Sequence, residues 1–430
     1  MNTIIELLLG VFAVDKTRRG FLAGMAACAG GALSAGSANS TVAPRSKSVI
    51  SNAANISRLR KGGSANSNDP WVEIDAQAFR NNVREVSRMA GGTPIMAPVK
   101  NNAYGLGDTV VGPLLASMPE VSRLACVRVS EGLALRAAGV RKPILNMSEV
   151  TEEEIEELVL NDIEITCWLD DAGERLDRVA KRLGKPIPVH FFIDTGLNRE
   201  GMPYDRALPW MQDLARRPSV KVAGIYTMFI HDIEHDKVQL MRFNRLIAEA
   251  RKEDIPLGLV HASPSYTTFY LPEARFDSVR SATALFGLYP DANAVSMADL
   301  KYVWRLRARI VRLEQLQRGE TVGFGPKYTV EKPTTLALLP VGSTDGYPSS
   351  AVNNCKVMIG DHLYPVVGSM SSAHTIVDVS EKPDVSIGDV ATLVDPDHKE
   401  IEPRAVAKQA GIGHYSLMSR LNALLPRKLV

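Results

Sequence analysis

The sequence predicts an α/β chain in two parts, an N-terminal (β/α)8 barrel followed by a C-terminal all-β domain. The first observation is an alternation. From Trp71 to about Pro290, short apolar runs take turns with stretches of helical periodicity, as strands and covering helices do around a parallel sheet. The second is a change of pattern. After Ala292 apolar and polar residues alternate, as in residues 303–311, and helical periodicity is nearly absent until Leu417. A period of two between Gly and Pro turns belongs to antiparallel strands.

The candidate barrel strands are residues 94–99, 124–127, 143–147, 163–168, 188–194, 222–228, 258–262 and 284–288. Their number and spacing suit a closed barrel. Among the intervening helices, one is N-capped by Asp75 and carries Phe79, Val83 and Val86 on one face. Another starts with a capping box, Thr151 to Glu154, ahead of Ile155, Leu158 and Val159. In the second part, residues 321–325 and 387–389 read as tight turns. No internal repeat or membrane span is visible beyond the first 40 residues.

Composition limits the function classes. Of 430 residues, 45% are hydrophobic and 23% charged, with a formal net charge of +2, as in ordinary soluble domains. No basic run interleaved with aromatics points to nucleic acid. Four cysteines, Cys28, Cys126, Cys167 and Cys355, have no paired spacing, so neither a disulfide framework nor a metal site is expected. Cys126 and Cys167 read as core residues of strands.

The beginning of the chain reads as a targeting segment. Lys16-Thr17-Arg18-Arg19-Gly20-Phe21-Leu22 resembles a twin-arginine export signal, an apolar Ala- and Gly-rich run continues to Leu33, and Gly36 and Ala38 offer a cleavage site. The expected organisation is a signal at residues 1–38, a Ser/Asn/Ala-rich linker at 39–69, the barrel at 70–292 and the β-domain at 293–430. The expected location is the periplasm.

The run 94–99 ends in Lys100-Asn101-Asn102-Ala103-Tyr104-Gly105-Leu106-Gly107. A lysine at the tip of a buried strand loses hydration, which lowers its pKa and frees an amine that can attack a carbonyl. Most strand-end lysines are simply solvated. The string from Ala97 to Gly107 sets this one apart, because it resembles the lysine motif of alanine racemases, in which the lysine forms a Schiff base with pyridoxal 5'-phosphate (PLP). The resemblance runs from about Trp71 to the C-terminus and implies the same two-part architecture, a homodimer with shared active sites and a small amino-acid substrate.

Residue by residue, the resemblance implies that Lys100 binds the cofactor and serves one face of the substrate. Tyr104, Ser265 (in His261-Ala262-Ser263-Pro264-Ser265) and Tyr415 would hold the phosphate, with the backbone N–H groups of Ala282 and Thr283. Arg280 would face the pyridine nitrogen. A guanidinium stays protonated, so it would keep that nitrogen unprotonated and the cofactor a weaker electron sink, favouring proton exchange at Cα over transamination. Arg199, in Ile193-Asp194-Thr195-Gly196-Leu197-Asn198-Arg199, would hold the substrate carboxylate. Phe192 stands where family members often carry a modified lysine supporting that arginine.

Three departures concern the opposite face. The family's second catalytic residue is a tyrosine in a Gly-Tyr-Ala-Asp-Gly string; here Ser343 takes its position in Gly342-Ser343-Thr344-Asp345-Gly346. Its relay histidine is replaced by Met228. A Met-Asp pair of the substrate pocket is replaced by Ser372 and Ala373, which leaves room for side chains larger than alanine's. Tyr347 matches a second, noncatalytic tyrosine. A serine hydroxyl is a far poorer base than a tuned phenol, so exchange on the Ser343 face is expected to lag unless another base acts. His374 from a partner subunit is the first candidate, with His231 and His235 behind it. The leading expectation is a PLP-dependent amino-acid racemase; the alternatives are a PLP-dependent lyase or aldolase on β-hydroxy amino acids, and a non-catalytic PLP-binding protein.

Overall fold

The computed structural model describes residues 68–325 and 328–430. The expected signal and nearly all of the expected linker lie outside the described residues.

The described chain begins with β1 (Trp71–Ile74) and turns at once into the helix Ala76–Met89. Asp75 caps it as expected: its Oδ1 accepts the N–H of Ala78 at 2.9 Å, satisfying a donor that a helix start leaves without an intrahelical partner. Phe79, Val83 and Val86 are buried together. The barrel staves follow in parallel: β2 (Ile95–Pro98), β3 (Val121–Cys126), β4 (Ile144–Asn146), β5 (Ile163–Cys167), β6 (Ile187–Asp194) with the short β7 (Met202–Pro203) beside it, β8 (Val220–Thr227) and β9 (Leu259–His261). The capping box at Thr151 and Glu154 forms, with hydrogen bonds of 2.8 and 3.3 Å, and starts the helix Glu152–Leu160 that packs on β5. Cys126 and Cys167 are buried at strand ends.

The last stave differs from expectation. Ser278 bridges to His261 and Val279 to Ile95, both in parallel, and this closes the ring between β9 and β2. The expected strand at 284–288 is instead a 3-10 turn, Thr283–Phe286. Its cause is local. Ser265 Oγ accepts the N–H groups of Ala282 at 3.0 Å and Ala284 at 3.2 Å, which winds the chain. Gly287 then reverses it at φ 83°, where a Cβ would lie 2.1 Å from the carbonyl oxygen of Lys301.

The second part is a nine-stranded sheet built from β10 (Trp304–Arg309), β11 (Arg312–Leu316), β12 (Thr334–Leu339), β13 (Lys356–Ile359), β14 (His362–Val367), β15 (Thr375–Asp378), β16 (Val390–Val394) and β17 (Arg427–Leu429), joined by β1. In β10 the alternation is realised, with Trp304, Leu306 and Ala308 buried and the arginines between them partly exposed. β1 lies between β10, antiparallel, and β17, parallel. Residues 71–74 therefore serve this sheet and not the barrel, in whose expected range they fall. Two helices, Pro403–Gln409 and His414–Ser419, precede β17. Their seven and six residues are too few for an apolar face to repeat, so the sequence shows little helical period there.

The chain after β2 shapes the site most. Asn101, Asn102, Ala103 and Tyr104 run left-handed, with φ of 54°, 56°, 49° and 55°, a conformation that costs about 1–2 kcal/mol for each residue other than glycine. The buried Glu131 holds it. Its Oε1 accepts the N–H of Asn102 at 3.3 Å, while Oε2 accepts those of Val127 and Arg128 at 3.2 and 3.1 Å. Gly105 follows at φ 93°, where a Cβ would lie 2.3 Å from the carbonyl oxygen of Met418. The turn and the helix His414–Ser419 thus pack backbone to backbone. Gly105→Ala is expected to lower unfolding free energy by about 3 kcal/mol, read in thermal or urea unfolding; a loss under about 1 kcal/mol would show that this close packing is not needed.

Candidate active site

A cavity of about 940 Å3 opens at the carboxyl ends of the barrel strands, where barrel loops gather functional side chains. Lys100, Tyr104, Arg199, Ser265, Arg280, Ala282, Thr283 and Tyr415 all line it. Lys100 and Tyr104 follow β2, Arg199 follows β6, Ser265 follows β9, and Arg280, Ala282 and Thr283 follow the segment that closes the ring, while Tyr415 comes from the helix packed on the left-handed turn. Ser343, Ser372 and His374 do not line the cavity. They are exposed on loops flanking β12 and β15 and are tied to one another there. The N–H of Ser343 donates to Ser371 O at 3.1 Å, that of Thr344 to Ser372 O at 3.0 Å, and that of His374 to Ser371 Oγ at 2.9 Å. Within one chain, then, Ser343, Ser372 and His374 stand apart from Lys100, because their loops belong to the nine-stranded sheet and not to the barrel mouth.

Burial lowers the pKa of Lys100, and the guanidinium groups of Arg199 and Arg280 lower it further. Its amine is therefore more available than that of a surface lysine. Arg280 is buried, and its partners are all neutral: His261 Nδ1 at 2.7 Å, Thr227 O at 2.9 Å and Met228 Sδ at 2.7 Å, with the Tyr226 ring 4.9 Å away. With no carboxylate paired to it among the described residues, burial pushes its pKa down to about 10. Met228, which stands where the family pattern has a histidine, offers this cation a thioether acceptor.

A buried chain of hydrogen bonds runs on from Arg280. Arginine can only donate, so His261 accepts at Nδ1 and carries its proton on Nε2. That proton points to His190 Nδ1 at 3.1 Å, and His190 Nε2 in turn donates to Glu164 Oε2 at 2.9 Å. Glu164 also pairs with Arg123. Burial lowers the pKa of both histidines, consistent with neutral rings in these tautomers. Sequence reasoning did not find His190 or Glu164 as a linked pair, although a histidine and a glutamate inside apolar strands are the signal that could have done so.

Do these residues fit PLP? Ser265 Oγ gathers the N–H groups of Ala282 and Ala284 and shares a hydrogen bond of 3.1 Å with Ser281 Oγ. With both lone pairs of its oxygen engaged by N–H groups, the Ser265 hydroxyl hydrogen is left to donate, as to a phosphate oxygen. Ala284, rather than Thr283, supplies the second N–H seen on Ser265. Burial holds the Tyr104 phenol well above its usual pKa and raises that of Tyr415, so both hydroxyls stay neutral donors. Tyr104 is fixed edge-on against Phe286 at 4.9 Å and Tyr415 at 5.9 Å. The buried, uncompensated Arg280 suits an unprotonated ring nitrogen. The set fits the cofactor. Arg199 is looser: its side chain is 59% exposed and its nearest carboxylate, Glu200, lies 3.4 Å away. Phe192 gives it no polar support, being stacked on Tyr226 at 4.4 Å.

Barrel, second sheet and strand-end lysine together define a class, the PLP-dependent enzymes that pair a (β/α)8 barrel with a β-domain. Residues 74–290 match the family model "Alanine racemase, N-terminal domain" and residues 303–429 match "Alanine racemase, C-terminal domain". The chain is 30% identical over 365 residues to an alanine racemase of Methanococcus maripaludis, covering 83% of this chain and 97% of that one. It is 32% identical over 359 residues to an alanine racemase of Treponema denticola, covering 80% and 94%. Among solved structures, an alanine racemase of Streptomyces coelicolor superposes with a TM-score of 0.76 at 28% identity, covering 84% of this chain and 98% of that chain. One from Clostridium difficile does so with 0.78 at 25%, covering 85% and 96%. This chain belongs to the alanine racemase family.

Proposed function

We propose that the chain is a PLP-dependent amino-acid racemase that interconverts L- and D-amino acids, alanine or one with a larger side chain. The observation that carries this reading is the meeting, in one cavity, of a lysine with lowered pKa and a buried arginine without a carboxylate. PLP, when bound, supplies the electron sink that acidifies the substrate Cα–H. Lys100 takes or returns a proton at Nζ on one face. Arg280 keeps its positive charge where the ring nitrogen would sit. Arg199 grips the substrate carboxylate, and Tyr104, Ser265 and Tyr415 donate to phosphate. Ser372, smaller than the methionine of the family pattern, supports room for a larger substrate.

The exposed cluster of Ser343, Ser372 and His374 supports a homodimer in which each subunit presents this surface to its partner's cavity. Its absence from the cavity of its own chain favours one second reading. With Lys100 as sole base, cleavage or elimination of β-hydroxy amino acids would replace racemisation. Chirality-resolved product analysis on an amino-acid panel separates the two. Net D/L interconversion is expected; loss of the carbon skeleton without interconversion would select the lyase, and no turnover would leave a PLP-binding protein.

Export to the periplasm is part of the proposal, supported by Arg18-Arg19 before an apolar run. Changing both arginines to lysine is expected to retain the protein in the cytoplasm, read by fractionation. Undiminished export of that variant would contradict a twin-arginine route.

A further inference from the structure

We propose that His231 is the acid/base group on the substrate face opposite Lys100. This deepens the racemase reading and rests on it. Racemisation removes a proton from one side of Cα and returns one to the other, so it needs a group on each side. Lys100 ends β2, and His231 lies just beyond β8. Around the ring, β9 and the closing segment separate them on one side, and β3 to β6 on the other. Both residues line the same cavity, from staves that are not neighbours in the ring.

The position of His231 is built. Its φ of 68° is left-handed, a strain that persists only where the surroundings impose it. They do so through the buried Asp236, whose Oδ1 accepts the N–H groups of Ile230 and His231 at 3.0 and 3.1 Å. The ring stacks on Tyr266 at 5.7 Å. No hydrogen bond to either ring nitrogen is found among the described residues, so both are open to a substrate. The other candidates differ. His190 and His261 are spent in the buried chain, and His235 pairs with Asp232 at 2.7 Å outside the cavity. His414 lines the cavity, but from the helix packed on the turn after β2, which is Lys100's own side.

Surrounding protein lowers the His231 pKa, which favours the free base. In one direction a ring nitrogen takes the Cα proton, the C–H electron pair stays on the substrate side, and Lys100 Nζ returns a proton to the other face. In the reverse direction the two exchange roles. No oxidant or further reactant is needed. The lag expected from the sequence on the Ser343 face is thereby relieved by a residue of the same chain.

The test follows Cα–H exchange of L- and D-alanine separately in deuterated water by NMR, with the PLP-loaded full chain and with His231→Gln, His414→Gln and His374→Ala. His231→Gln is expected to slow exchange of one enantiomer about 10²–10³-fold, leave the other within about threefold, and keep PLP content and thermal stability. In His231→Ala, added imidazole should restore part of the lost exchange. Unchanged exchange of both enantiomers in His231→Gln, or the selective loss appearing in His414→Gln or His374→Ala instead, would overturn the proposal. If the unmodified protein exchanges neither enantiomer of any amino acid tested, the racemase reading itself fails, and this proposal with it.

Discussion

Lys100→Met is expected to abolish racemisation, by more than about 10³-fold, because it removes both the cofactor's attachment point and the proton carrier of one face. The same variant should be more stable than the unmodified protein when both lack cofactor at neutral pH. Burial lowers the Lys100 pKa in the folded state, so at neutral pH the folded chain carries a charge it disfavours. As pH rises from the lowered pKa towards about 10.4, the unfolded chain still binds a proton that the folded chain has released, and stability rises. Above that value both states are neutral and the burial cost is gone. The advantage of Lys100→Met should therefore be full below the lowered pKa and vanish in strong alkali. An equal Tm for the two proteins at pH 7 would mean that the lysine is solvated.

Arg280→Glu is the second large effect. A carboxylate at this buried position would keep a proton on the pyridine nitrogen and strengthen electron withdrawal. Racemisation is expected to fall about 10²–10³-fold, the scale of losing one preorganised charge, while keto-acid formation from alanine rises. Arg280→Lys, which keeps the charge, separates chemistry from folding: it should retain racemisation in preference to keto-acid formation. No change in the ratio of the two products in Arg280→Glu would place the arginine away from the ring nitrogen.

Much of this site was legible because its chemistry sits in short strings. Lys100 and Ser265 follow apolar runs, and strand ends in a parallel barrel meet at one mouth; Arg280 was legible only through its resemblance to the family string. The helix starts at Asp75 and Thr151 were legible because capping is local. What escaped depends on contacts distant in sequence. Val279 stands beside Arg280 with no strand pattern around it, yet it closes the ring against Ile95. β1 pairs with β10 and β17, which no local pattern at Trp71 announces. The left-handed turn at Asn101–Tyr104 is hinted at by two asparagines, but it is fixed by Glu131, near in space and distant in sequence. Ser343 and His374 were read as the face opposite Lys100 built across a dimer, and within one chain they stand on loops of the other sheet.

The central claim, that this is a PLP enzyme working through Lys100, is tested most directly by borohydride reduction of the purified protein followed by peptide mass mapping. The account predicts visible absorption that disappears on reduction and a single phosphopyridoxyl-modified peptide carrying the label on Lys100. A label on any other lysine, or none on a protein supplied with PLP, would contradict it.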